Sequence, residues 1–167
     1  MKPMNQSETQ WDKLLKIKTT GRDDTHSDQY RYPYEPTAYT VLERLANSGL
    51  IRKNNTVLDY GTGKGRVCFF LSYQTRCRSI GVEYDERIYQ EAAANRSAAV
   101  SGSRTSFVLS SAENYEVPAE VDRCYFLIPL LWRFYGLFLQ GYMNHITGIQ
   151  EACCCFSIIH QKNMSAF

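Results

Sequence analysis

The chain has 167 residues, 44% of them hydrophobic, and a formal net charge of +2 at pH 7. That length supports one domain with a real core, and so small and evenly spread a charge, without a basic run, gives no strong signal for nucleic acid. The N-terminus, with Lys2, Asn5, Gln6, Glu8 and Asp12, lacks the apolar segment of a signal peptide, so the six cysteines read as reduced thiols of a cytoplasmic protein.

Residues 1–35 read as a polar, tyrosine-rich segment, ending in Tyr30-Arg31-Tyr32-Pro33-Tyr34-Glu35-Pro36. It either folds over the mouth of a binding site or fills the margin between helix and sheet with its tyrosines. Pro36 suits a first helical position, and Val41, Leu42, Leu45, Ala46 and Leu50 recur at helical spacing, which predicts a helix over Thr37 to about Ser48 packed on a sheet.

Thr56, Val57 and Leu58 then predict a buried strand that runs into Asp59-Tyr60-Gly61-Thr62-Gly63-Lys64-Gly65-Arg66. Glycines at alternate positions let the backbone turn tightly and approach a ligand that a Cβ would exclude. Val67 to Leu71 supply an apolar helix directly after the turn, and Arg66 is expected to face solvent at its start. Arg66 stands where the dinucleotide fingerprint needs its third glycine, and the Lys and Ser/Thr pair of a phosphate-cradling loop is absent. The anionic Asp59 suits a cationic or hydroxyl-bearing ligand better than a phosphate.

Ser79 to Glu83 predict a second short strand whose terminal carboxylate, about twenty positions after Gly61, is at the distance of an acid that grips ribose hydroxyls. Asp85 caps a helix from Glu86 to about Val100, stopped by Gly102. Thr105 to Leu109 make a third strand, followed by Ser110-Ser111-Ala112-Glu113. Val121 to Phe126 make a fourth.

An acid followed two positions on by G-x-G-x-G, then a strand ending in Glu83, resembles the class I S-adenosylmethionine-dependent methyltransferases over about residues 30–126. The resemblance implies an α/β fold with a Rossmann-like sheet, incomplete at its C-terminal side, and a domain at 36–126 that binds S-adenosyl-L-methionine. By that resemblance Asp59 lies near the methionine amino group, while Tyr60, Gly61, Thr62, Gly63 and Gly65 line the cofactor. Glu83, with Tyr84 beside it, takes the ribose, and Ala112 and Glu113 stand near the adenine. The tyrosine-rich N-terminal segment would help shape the substrate pocket. No catalytic residue is assigned, and nothing selects among nitrogen, oxygen, carbon and sulfur acceptors. Two other functions stay open: an oxidoreductase that binds NAD through the same Glu83, and a non-catalytic binding or membrane-associated protein.

The chain changes character after Phe126. All its charged side chains but Arg133, Glu151 and Lys162 precede that point, too abrupt a change for the second half of an α/β domain. Where the family presents an Asn/Asp-Pro loop, this chain has Leu127-Ile128-Pro129-Leu130. A membrane span over Tyr125 to Tyr142 is interrupted by Pro129, Arg133 and Gly136. Metal binding at Cys153-Cys154-Cys155 is disfavoured because adjacent side chains diverge. The favoured reading of 127–167 is an aberrant, poorly packed tail produced by a one-base frameshift. Plausible codons read in the restored frame give the missing Asn-Pro-Phe loop, an amphipathic helix and a fifth strand.

Overall fold

The structure, a computed structural model, describes residues 4–21 and 34–126. Helix α1 (Met4–Leu15) and helix α2 (Tyr39–Asn47) precede strand β1 (Thr56–Tyr60). Helix α3 (Arg66–Gln74), strand β2 (Arg78–Glu83), helix α4 (Glu86–Ala98), strand β3 (Thr105–Leu109) and strand β4 (Arg123–Phe126) follow. The four strands form one parallel sheet in the order β3-β2-β1-β4.

Every residue of β1 is buried, as expected for a parallel strand covered on both faces. Side chains alternate between those faces. Val57 joins Phe69, Phe70, Leu71, Leu42 and Leu15 in the larger core cluster. Leu58 and Tyr60 point the other way, to Val82, Val121, Cys124 and Phe126. Asp59 therefore shares a face with Val57, next to Tyr125, its neighbour in register on β4. Burial of Val67 through Ser72 makes α3 the central helix.

Helix α1 is polar in composition, and no periodic pattern in the sequence announces it. Leu15 and Ile17 enter the main core, and Trp11 packs edge-on against Phe70 with ring centroids 4.9 Å apart. Trp11 Nε1 also donates to Glu43 Oε1 at 3.0 Å, fixing α1 to α2.

Two expectations for α2 need correction. Pro36 precedes the N-cap Ala38 instead of opening the helix. Leu50 lies beyond the last turn, where Gly49 at φ +78° redirects the chain, and is 47% exposed instead of lying on the buried face. The expectations for the tail, for Leu127 to Leu130 and for most of the tyrosine-rich segment lie outside the described residues. Among the described residues no helix is long and apolar enough to cross a membrane, and Cys68, Cys77 and Cys124 are free thiols.

This order places the site. The connections β1-α3-β2 and β2-α4-β3 step one way from β1, whereas β4 lies on its other side. The strand order thus reverses at β1, and in open parallel sheets ligands bind outside the carboxyl ends of the strands at such a point.

Candidate cofactor site

At the carboxyl end of β1 the amides of Gly61 and Thr62 both donate to Val82 O, at 2.9 and 3.1 Å, so the turn is tied to β2 as it leaves the sheet. Gly63 and Gly65 adopt φ of +57° and +86°, a region that side chains with a Cβ disfavour. Space forbids a Cβ at both. At Gly63 it would stand 2.4 Å from Tyr34 Cε2, and at Gly65 it would stand 2.6 Å from Phe107 Cζ and 2.7 Å from Phe69 Cε2.

Glu83 ends β2 beside this loop and is 5% exposed. Its Oε2 accepts from the Gly63 amide at 2.9 Å. Its Oε1 accepts from the amides of Tyr84 and Asp85 at 3.0 and 3.1 Å. Burial raises its pKa above the ordinary carboxyl value, and those three backbone donors oppose the rise. A carboxylate offers about four lone-pair sites on two oxygens, so one further hydroxyl donor can still be accepted beside the three backbone donors.

Asp59 is 2% exposed. Thr62 Oγ1 donates to its Oδ2 at 2.7 Å, and the Cys68 thiol lies 3.7 Å from the same oxygen. Burial lifts its pKa to about 7, against the lowering effect of those hydrogen bonds. The same burial pushes the Cys68 thiol well above its ordinary value.

Asp59, Gly61, Thr62, Gly63, Gly65 and Glu83 are thus brought together at the carboxyl ends of β1 and β2. Tyr60 belongs to the opposite face, its ring stacked on Phe126 at 5.1 Å. The Tyr84 side chain is 42% exposed, next to Glu83. Ala112 and Glu113 lie in the turn after β3, Ala112 packed on the second core cluster and Glu113 exposed. Ser110 N donates to Glu83 O at 2.9 Å, which brings the start of that turn to the end of β2.

Arg66 corrects the reading of a solvent-facing residue: it is 2% exposed. Its Nε donates to Thr19 Oγ1 at 2.7 Å and its Nη1 to Thr37 O at 3.1 Å. Nη1 also pairs with the Glu8 carboxylate, Nη2 lies 3.7 Å from Asp12 Oδ1, and the guanidinium sits 4.4 Å from the centroid of the Tyr39 ring. Asp12 in turn accepts from Tyr39 Oη at 2.6 Å and from Thr19 N at 2.7 Å. Burial alone would raise the Asp12 pKa, but the donors Tyr39 and Thr19 and the charge of Arg66 together lower it. An arginine opening an otherwise apolar helix is the one local hint that it needs partners.

Tyr34 is the described end of the tyrosine-rich segment. Its ring covers Gly63, its Oη donates to Thr19 O at 2.6 Å, and Lys64 Nζ stands 5.2 Å from the ring centroid.

No protein-family model matches the chain, and no curated protein matches it in sequence. Its fold is similar to an RNA methyltransferase from Salinibacter ruber in complex with S-adenosyl-L-homocysteine: TM-score 0.56 and 18% identity over 64% of this chain and 71% of that one. It is also similar to an S-adenosylmethionine-dependent methyltransferase from Thiobacillus denitrificans in complex with S-adenosyl-L-homocysteine, with TM-score 0.56 and 14% identity over 74% and 47% of the two chains. YjhP from E. coli aligns with TM-score 0.56 and 15% identity over 71% and 47%. The alignments thus span about half the length of the last two proteins. The chain has a Rossmann-like α/β fold, and its four-stranded parallel sheet matches part of the fold of these methyltransferases.

Proposed function

We propose that the chain binds S-adenosyl-L-methionine at the carboxyl ends of β1 and β2 and belongs to a methyl-transferring protein. The observation that carries this reading is the Glu83 carboxylate, held by the Gly63 amide at 2.9 Å, which joins the acid of one strand to the glycine loop that follows the other. A carboxylate fixed in this way is oriented before a ribose arrives, so accepting a ribose hydroxyl at its remaining lone pair requires little reordering. The fit extends to the loop: Gly63 and Gly65 hold left-handed backbone, and Gly61 is exposed at the strand end. In this reading the methionine ammonium group favours the ionised form of Asp59, while the bond from Thr62 to that carboxyl fixes the turn. Tyr60, Thr62 and Tyr84 flank the cofactor, and Ala112 and Glu113 border the adenine.

The bound cofactor supplies an electrophilic sulfonium methyl group, and the protein's part is positioning and electrostatics. Two solved structures of the same fold hold S-adenosyl-L-homocysteine, which supports the choice of ligand. Calorimetry with S-adenosyl-L-homocysteine and with NAD tests it. A single site for the former, weakened by Glu83→Ala, is the expected result, and binding of NAD in its place would show the proposal to be wrong.

A further inference from the structure

Residues 16–20 form a strap that leaves α1 and runs past the glycine loop. Three contacts tie strap and loop together. Asn95, on α4 and only 8% exposed, accepts from Lys18 N at 2.9 Å and donates to Lys18 O at 3.2 Å and to Lys64 O at 3.1 Å. One amide side chain therefore bonds both backbone groups of Lys18 and reaches the loop as well. Arg66, which follows Gly65 directly, holds Thr19 Oγ1 at 2.7 Å. Tyr34 lies on Gly63 and bonds Thr19 O at 2.6 Å. From the last turn of α1, Asp12 accepts from the amides and hydroxyls of both Thr19 and Thr20, at 2.7 to 3.0 Å.

We propose that Arg66 and Asn95 are positioning residues that couple this strap to the glycine loop, so that ligand binding at the loop and ordering of residues 16–20 are one event. The inference rests on the cofactor reading and adds to it a second element, remote in sequence, whose order sets cofactor affinity. A simple core role for the two residues predicts a strap whose exchange does not respond to ligand. Coupling between two elements is reciprocal: a ligand that holds the loop slows opening of the strap, and loosening the strap weakens the ligand by the same factor.

Hydrogen exchange followed by mass spectrometry, with and without saturating S-adenosyl-L-homocysteine, reads both elements in the full chain. In the wild type the ligand should slow exchange in residues 61–65 and in residues 16–20. Asn95→Ala should speed exchange in the strap, leave β1 and β2 protected, and weaken the ligand about tenfold, within the usual range of such couplings. Arg66→Lys keeps the charge but loses the fork that reaches Thr19 and Thr37, and should act in the same direction. If Arg66→Lys loses protection in β1, it reports on folding, and Asn95→Ala, which leaves the ion pairs intact, decides. A ligand that slows the loop and not the strap, or Asn95→Ala with a loosened strap and wild-type affinity, overturns the coupling while the cofactor reading stands. A wild type in which neither loop nor strap responds to the ligand overturns the cofactor reading and this inference with it.

Discussion

Thr62 Oγ1 donates to Asp59 Oδ2 at 2.7 Å, closing the turn between β1 and the glycine loop from inside the core. The acid thus braces the loop while its own partners, Thr62 and Cys68, are neutral groups. Its protonation state bears on stability and binding together.

Asp59 has a folded pKa of about 7 against an ordinary value of 3.8, so the folded state holds the proton more tightly than the unfolded chain. The stability this contributes is complete below about pH 4 and is lost as pH rises to about 7. Relative to Asp59→Asn, the wild type should lose stability across that window, on the order of 4 kcal/mol in all, since each tenfold change in proton affinity is worth about 1.36 kcal/mol. Urea denaturation of both proteins from pH 4 to 8 checks this, and curves that stay parallel contradict it.

Gly63→Ala and Gly65→Ala should each lower stability. Left-handed backbone with a Cβ costs roughly 1 to 2 kcal/mol, and overpacking adds about 1 to 3 kcal/mol. The three atoms nearest a Cβ at Gly63 all belong to the Tyr34 ring, whereas those nearest one at Gly65 belong to Phe69 and Phe107. Gly65→Ala should therefore be the worse variant. Tyr34→Ala should recover part of the loss in Gly63→Ala and none in Gly65→Ala, a double-mutant comparison made by thermal unfolding.

Asp85→Ala should cost about 1 kcal/mol through loss of the α4 N-cap, since Asp85 Oδ1 accepts from the amides of Arg87 and Ile88 at 2.9 and 3.4 Å. Asp85→Asn should retain most of that stability in the same denaturation assay.

The strand-loop-helix-strand unit is legible in the sequence because its cues are local. Strand-forming residues, alternate glycines and an apolar helix follow one another from Thr56 to Glu83, and the hydrogen bonds they predict fall within that span. Arg66 defeats such reading because its partners are remote: Thr19 lies 47 positions away and Glu8 lies 58. The place of Arg66 at the start of an apolar helix hints that it needs partners, but no local pattern says which ones. Helix α1 escapes detection because the run Met4 to Leu15 is polar overall, while among its described side chains Trp11 and Leu15 are the apolar ones that pack on the core. Leu50 fits a helical period that the chain abandons at Gly49. Register and burial across the sheet come from tertiary packing, which a period of 3.6 or 2 does not encode.

The change of composition at Phe126 has its own consequence for activity. Leu127, Ile128 and Leu130 carry no polar side chain to orient an acceptor. The chain as written should consume no S-adenosyl-L-methionine above background, and restoring one base after the Tyr125 codon should give an active, more soluble product. Expression of both frames with a cofactor-turnover assay tests this. Equal turnover, or an early stop codon in the restored frame, removes the frameshift reading.

Cofactor binding through Glu83 is tested most directly by calorimetric titration of the full chain and of Glu83→Ala with S-adenosyl-L-homocysteine. One site is predicted in the wild type and a loss of roughly 1 to 3 kcal/mol in the variant, the usual cost of removing a hydrogen-bonding partner of charged type. Equal affinity in the two proteins, or no heat of binding in a wild type that is folded by circular dichroism, would contradict it.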